Sequence, residues 1–91
     1  MIEVIKFGAE WCGPCKVIAP TIKSLKEKYD AIEGSDVSIV NIDIDENPEL
    51  AEKYKVRNIP TLVFVKGDEV LVKKVGVVTE SEIEEIIKSL K

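Results

Sequence analysis

The side chains best suited to chemistry in this chain are the thiols of Cys12 and Cys15. These are its only two cysteines, and two residues separate them. Two thiols at this spacing can close a disulfide, supply half of a metal site, or pack as small apolar groups. A structural zinc site takes about four protein ligands, usually Cys and His, and the chain contains no histidine. Zinc would therefore need carboxylate ligands or a second copy of the chain. We expect no metal, and we favour reversible dithiol–disulfide chemistry over inert packing.

Composition narrows the class of protein further. The 91 residues suit one domain, residues 1–91. A net charge of −4 argues against a nucleic-acid partner, and the apolar runs are too short for a signal peptide or a membrane span. The cytoplasm is the expected compartment, where a lone cysteine pair is more often catalytic or metal-binding than structural. The acidic stretches are interpreted as solvated faces. They comprise Asp43, Asp45, Glu46, Glu49 and residues 80–85.

Hydrophobic periodicity predicts seven elements in the order β-α-β-α-β-β-α. Strands are expected at residues 2–7, 37–44, 61–65 and 69–75, and helices at 14–29, from 48 to about 54, and after a capping box at 79–82. The first two strands are almost continuously apolar, which is typical of strands covered on both faces. Together with the helix between them they predict a right-handed parallel βαβ unit.

Two prolines and one asparagine modify these helices. Pro20 predicts a kink in the first helix, because the carbonyl of Lys16 loses its hydrogen-bond partner. Asn47 is predicted to cap the second helix, with Pro48 at its first position.

The cysteines fall where the first strand meets the first helix. Cys12 is expected at the helix N-terminus, where free N–H groups and the positive end of the dipole favour a thiolate. Cys15 follows one turn later on the same face and is shielded by Cys12. This predicts that Cys12 attacks a client disulfide and that Cys15 resolves the mixed disulfide. Gly13 allows close approach of a client, and Pro14 begins the helix.

Activation of the thiol alone gives a small rate advantage. Lowering a thiol pKa from about 8.5 to about 7 raises the thiolate fraction at pH 7 roughly fifteen-fold, but the accompanying loss of nucleophilicity leaves a gain of about three-fold. Most of the advantage is therefore expected from holding the resolving thiol beside the mixed disulfide.

Several segments resemble the thioredoxin family. GAEWCGPCK at residues 8–16 resembles its active site, and NIPTL at 58–62 with KGD at 66–68 is similar to its cis-proline loop and hairpin. VGV at 75–77 is similar to its second substrate-groove loop. These matches follow the family order over almost the whole chain. They imply an α/β thioredoxin fold with a four-stranded mixed sheet flanked by helices.

The resemblance also implies a client groove. The Ile59–Pro60 bond would be cis and lie against the cysteines, and client backbone would pair with the loop around Ile59 as an added strand. Trp11 would line the groove, although it could instead be a partly buried core aromatic, and Gly76 could be a plain turn at a strand end. The implied substrate-binding residues are Trp11, Gly13, Pro14, Ile59, Pro60, Val75, Gly76 and Val77.

The chain departs from the family at two points. Residue 2 already begins the central strand, so the strand and helix that usually precede it are expected to be absent, which leaves a four-stranded mixed sheet closer in size to that of glutaredoxins. The family's buried acid, thought to take the proton from the resolving cysteine, is replaced by Lys6, and its partner lysine by Asn41. Lys6 could extend to solvent without a chemical role. Alternatively, a partly desolvated Lys6 could tune Cys15 together with Asp43 or Glu10.

The main hypothesis is a monomeric cytoplasmic protein-disulfide reductase that carries electrons from a thioredoxin-reductase-like donor to disulfide-containing client proteins. No cofactor, nucleic acid or membrane is implied. The alternative is a glutaredoxin-like enzyme that uses glutathione, although that family usually has Pro-Tyr between its cysteines. A non-catalytic binding module would have no need of both cysteines. Oxidase or isomerase activity would favour an oxidising compartment, for which the chain carries no signal.

Overall fold

Seven secondary-structure elements follow one another in the predicted order, and the computed structural model describes all 91 residues. The strands are β1 (Ile2–Gly8), β2 (Val37–Asp43), β3 (Thr61–Lys66) and β4 (Glu69–Val75), and the helices are α1 (Gly13–Asp30), α2 (Pro48–Lys53) and α3 (Glu80–Leu90). The predicted boundaries differ from these by at most one residue. No helix combines the length and apolar character needed to cross a membrane.

The strands form one mixed sheet in the order β2-β1-β3-β4. β1 is parallel to β2 and antiparallel to β3, and β4 is antiparallel to β3. The four-stranded mixed sheet of the sequence prediction is confirmed. Because β1 and β2 are parallel, their carboxyl ends lie at the same edge of the sheet, where Gly8 is the register partner of Asp43.

Both faces of β1 are buried, but against different helices. Val4 belongs to the larger core with residues of α1 and α3, whereas Ile5 and Phe7 pack on the opposite face, where Leu50 and Tyr54 lie against them. Successive side chains of a strand point to opposite faces. Lys6 and Gly8 therefore project on the same side as Val4, towards α1.

Helix α1 carries the apolar stripe that packs on this face. Ile18, Ile22 and Leu25 recur at helical spacing and are buried. Burying one such side chain contributes about 1.5–3 kcal/mol. Pro20 has no N–H to offer the carbonyl of Lys16, yet α1 continues through it as one element.

The two predicted helix caps differ in outcome. Thr79 caps α3 as expected, since its hydroxyl accepts the N–H of Glu82 at 3.2 Å. Asn47 precedes α2, and Pro48 is its first residue, but the prediction of a side-chain cap is wrong. The Asn47 amide turns back and donates to the carbonyl of Asp43 at 3.2 Å, which fastens the start of α2 to the end of β2.

The acids of α3 do more than face solvent. Ser24 donates to Glu80 at 2.9 Å, and Lys28 and Tyr29 both donate to Glu84. The hydrogen bond from Lys28 lowers the pKa of Glu84, and the same contact raises the pKa of Lys28. These contacts join α3 to α1, a role that the interpretation as solvated faces did not include.

Candidate active site

Cys12 and Cys15 are joined by a disulfide, with their Cα atoms 5.2 Å apart. Cys12 is the residue before α1 and has an extended backbone, with φ −87° and ψ 113°. Its sulfur accepts the N–H of Cys15 at 3.2 Å, the position that a capping side chain occupies. A donor aimed at this sulfur favours its anionic form once the disulfide is reduced. The predicted place of Cys12 at the helix N-terminus is confirmed.

Both cysteines are shielded, the second more than the first. Cys12 is 5% exposed and Cys15 is 2% exposed. They form a small apolar cluster with Ala9, and Ile44 and Ile59 pack against it. Cys12 precedes α1 and Cys15 lies in its first turn, so Cys12 is the slightly more exposed of the two.

The loop before β3 lies against this cluster. The Ile59–Pro60 peptide bond is cis, as the resemblance implied, and Pro60 is buried. Ile59 contacts the cysteine cluster. The carbonyl of Pro60 accepts the N–H of Gly76 at 2.8 Å, which joins this loop to the one that follows β4. Gly76 has φ +94°, so the turn after β4 is one that favours glycine.

Apolar side chains near these loops are exposed. Trp11 is 68% exposed, Val75 is 59% exposed and Val77 is 51% exposed. Trp11 is therefore not a core aromatic. Its indole N–H donates to the carboxylate of Asp45 at 2.8 Å, a contact between residues 34 positions apart that no local pattern predicted. Val17, two residues after Cys15, is also exposed, with 66% of its surface accessible, and the sequence pattern did not identify it as a surface residue near the site.

Lys6 is buried on the α1 side of the sheet, with 6% of its surface exposed. A methyl group placed on Gly8 would lie 2.7 Å from Nζ of Lys6 and 3.2 Å from the sulfur of Cys15. The distance between the amino nitrogen of Lys6 and the sulfur of Cys15 therefore cannot exceed the sum of these two distances. Most of the Lys6 side chain is covered by its neighbours, and its charged end lies beside the cysteine pair.

A polar cavity of about 710 Å³ lies at this end of the sheet. Lys6, Gly8 and Cys15 line it, together with Glu10, Asn41 and Asp43. Burial lowers the pKa of the Lys6 amino group, and the Asp43 carboxylate acts in the opposite direction. Asp43 is half-buried, whereas Glu10 is exposed, so of the two predicted neighbours Asp43 is the one that acts on Lys6.

Comparison with known proteins gives a consistent result. The family model described as thioredoxin matches residues 2–89. A thioredoxin of Staphylococcus epidermidis is 40% identical over 86 residues, which cover 94% of this chain and 79% of that protein. A thioredoxin of Buchnera aphidicola is 37% identical over 84 residues, covering 92% of this chain and 74% of the relative.

Solved structures agree with the sequence relatives. The germline-specific thioredoxin Deadhead of Drosophila melanogaster superposes with a TM-score of 0.84 at 38% identity, over 99% of this chain and 81% of that one. The thioredoxin of Fasciola hepatica gives a TM-score of 0.84 at 34% identity, over 99% and 81% of the two chains. Both similarities extend over the whole sheet and its helices.

Proposed function

The chain belongs to the thioredoxin family, and on this basis we propose that it reduces client disulfides with Cys12 as the attacking thiolate and Cys15 as the resolving thiol. Family membership makes it a protein-disulfide oxidoreductase and favours a thioredoxin over the glutaredoxin-like alternative. The observation that carries the assignment of roles is the Cys12–Cys15 disulfide at the start of α1, with Cys15 the deeper residue.

The reaction proceeds in two exchanges. The Cys12 thiolate attacks one sulfur of the client disulfide, and the electron pair of the broken bond leaves with the other client sulfur. The Cys15 thiolate then attacks the sulfur of Cys12, and the bond between Cys12 and the client breaks. The client departs as a dithiol after taking up two protons, and the protein is left with the observed disulfide. The second exchange is intramolecular, so the proximity of Cys15 supplies most of its rate.

We place the client in a groove beside the cysteines. The exposed apolar side chains of Trp11, Val75 and Val77 support this position, because exposed apolar side chains close to reactive groups are suited to contacting a partner. The backbone around Ile59 pairs with the client as an added strand. The groove residues are those that the resemblance implied, namely Trp11, Gly13, Pro14, Ile59, Pro60, Val75, Gly76 and Val77.

Its partners follow from this role. Proteins of the family generally act on disulfide-containing clients and are reduced by a thioredoxin reductase. We propose that this chain carries electrons as a cytoplasmic monomer from a reductase of that kind to client proteins, with no cofactor, metal, nucleic acid or membrane taking part. Its net charge of −4 is consistent with protein clients rather than nucleic acid.

Cysteine variants test the roles. Reduction of insulin disulfides, with dithiothreitol as electron donor, should be lost in Cys12→Ser. Cys15→Ser should instead accumulate a mixed disulfide between Cys12 and insulin that mass spectrometry detects. Ser81→Ala, a change of an exposed hydroxyl on α3, serves as the control. A stable adduct on Cys15 in Cys12→Ser, with none on Cys12 in Cys15→Ser, would reverse the assignment. Full turnover that requires glutathione would support the glutaredoxin-like alternative.

A further inference from the structure

We propose that the ammonium group of Lys6 stabilises the thiolate of Cys15 in the second exchange, making Lys6 a positioning residue that acts through the resolving cysteine. The inference rests on the proposed roles of Cys12 and Cys15. It adds a residue whose charge is opposite to that of the acid expected at this position.

The geometry of β1 brings the two groups together. Lys6 and Gly8 project from the same face of the strand, and α1 carries Cys15 over that face. Because Gly8 has no side chain, the space between the amino group and the sulfur stays open. A methyl group there would be within 2.7 Å of the one and 3.2 Å of the other.

The charges around Lys6 come from several elements. Asp43 of β2 is half-buried and opposes the effect of burial on the pKa of Lys6. Glu10, Lys16 and Glu46 also line the cavity, from the β1–α1 loop, α1 and the β2–α2 loop, but all three are exposed and screened by solvent. From β3, the register partner of Lys6 is the apolar Leu62. Lys6 is thus the buried positive charge nearest to Cys15 among the residues that line the cavity.

The chemical step is balanced without a further reagent. Once Cys12 holds the client, the Cys15 thiol releases its proton to water in the cavity, and its thiolate forms beside the Lys6 ammonium. The electron pair of this sulfur makes the bond to Cys12, and the pair of the broken mixed disulfide leaves on the client sulfur. An opposite charge within about 4–6 Å favours the ionised form of an acidic group and so lowers its pKa.

The buried position of the Lys6 ammonium group is explained if its charge gains a partner during the reaction. A charged group taken out of water destabilises the fold unless it is paired, and an apolar side chain of similar length would fill the same space without that penalty. In the disulfide form Lys6 has the charge of Asp43 near it, but no hydrogen bond contributes to its pKa. A thiolate on Cys15 supplies the missing partner at the moment when the reaction needs it.

The second exchange can be observed by itself with 5,5′-dithiobis(2-nitrobenzoic acid). The first thionitrobenzoate is released when Cys12 attacks, and the second when Cys15 displaces the group held on Cys12. Stopped-flow absorbance of the second release, measured where its rate does not depend on reagent concentration, reports the ionisation and reactivity of Cys15. Its pH profile should be recorded from below to above the pKa of Cys15.

Lys6→Met should change this profile in a way that only a charge produces. A rise of one unit in the Cys15 pKa reduces the thiolate fraction tenfold below the pKa, while the nucleophilicity of the thiolate rises by about three-fold. The second release should therefore be about three- to fourfold slower at low pH and about three-fold faster at high pH. Lys6→Gln should show the same crossing, and it replaces the Met variant if that protein does not fold.

Two further variants distinguish three roles for Lys6: stabilisation by its charge, acceptance of a proton, and a purely structural effect. Lys6→Arg keeps the charge but has no amine that can lose a proton, so it should retain the wild-type profile. Lys23→Met removes an exposed lysine of α1 that does not line the cavity, and it should leave the profile unchanged. An unchanged profile in Lys6→Met, uniform slowing at every pH, or an Arg variant that behaves like Met would each overturn the proposal.

One control separates this inference from the proposed function. Cys15→Ser should abolish the second release while leaving the first. If the second release survives in that variant, the assigned role of Cys15 fails, and the inference fails with it. If it is abolished, while Lys6→Met behaves as wild type, only the inference about Lys6 is wrong.

Discussion

Lys6 faces Cys15 through the space that Gly8 leaves open, since a methyl group on Gly8 would lie 2.7 Å from the amino nitrogen and 3.2 Å from the sulfur. The nearer contact is to the flexible end of a lysine, and it is closer than Cβ atoms tolerate. The lysine end would have to move farthest if a side chain were added, and the Cys15 sulfur would have to shift by a smaller amount.

Gly8→Ala should therefore displace the Lys6 amino group from the sulfur without unfolding the sheet. We expect the second release of thionitrobenzoate to slow about two- to three-fold at pH 7, in the same direction as in Lys6→Met. The test is a double-mutant cycle, because residues that act through one contact do not give additive effects. Adding Gly8→Ala to Lys6→Met should cause less change than Gly8→Ala causes in the wild type, and what remains reflects the contact with the Cys15 sulfur. Fully additive slowing would show that Gly8 acts independently of Lys6.

Replacing Lys6 should stabilise the oxidised protein at neutral pH. Burial lowers the pKa of Lys6 from 10.5, so folding disfavours its charged form. A charge taken out of water disfavours folding unless it is paired, and the Asp43 carboxylate offsets this effect of burial on Lys6 only in part. Urea denaturation of the disulfide form should therefore give Lys6→Met a larger free energy of unfolding than wild type at pH 7.

The stability difference between Lys6→Met and wild type should depend on pH with a definite sign. Between the folded pKa of Lys6 and 10.5, the unfolded state binds more protons than the native state, so the wild type gains stability as pH rises. Lys6→Met lacks this gain, and its advantage should shrink as pH approaches 10.5. The oxidised protein is required because its cysteines do not titrate. An advantage that grows with pH would contradict the shift assigned to Lys6.

A feature was predictable from the sequence when it depends on residues close together in the chain, and less so when it depends on residues far apart. Elements such as β1 and α1 depend on local periodicity and were predicted to within one residue. The cis Ile59–Pro60 bond has no local signal and was predicted only from the resemblance. Contacts between distant residues, such as Trp11 with Asp45, were missed because an exposed acid carries no mark of its partner. The Lys6 environment lies between these cases: the resemblance implied that Lys6 lies near Cys15, but the distances depend on packing across Gly8.

The Trp11–Asp45 hydrogen bond should support client binding. The carboxylate holds the exposed indole in one orientation, at a donor–acceptor distance of 2.8 Å. Losing such a bond costs about 1 kcal/mol, or roughly a fivefold change in an equilibrium constant. Asp45→Ala should therefore raise the KM for a disulfide protein substrate up to about fivefold, with little effect on kcat. Glu49→Ala, a nearby exposed acid without this contact, is the matched control. Equal KM effects in the two variants would assign the change to general loss of negative charge.

The Glu84 contacts should make the packing of α3 on α1 depend on pH. Hydrogen bonding from Lys28 holds the pKa of Glu84 below its ordinary value of 4.5, so the native state favours the ionised carboxylate. That contribution to stability is present above pH 4.5 and is lost as pH falls through the lower folded pKa. Glu84→Gln should thus lower Tm at pH 7, and the difference from wild type should disappear in acid. Calorimetry at several pH values measures it, with Glu85→Gln as the control for an exposed neighbouring acid. Because both partners are partly exposed, added salt should also reduce the difference at pH 7. A deficit that persists unchanged at pH 3 would show that the glutamine disturbs packing rather than removing the charge interaction.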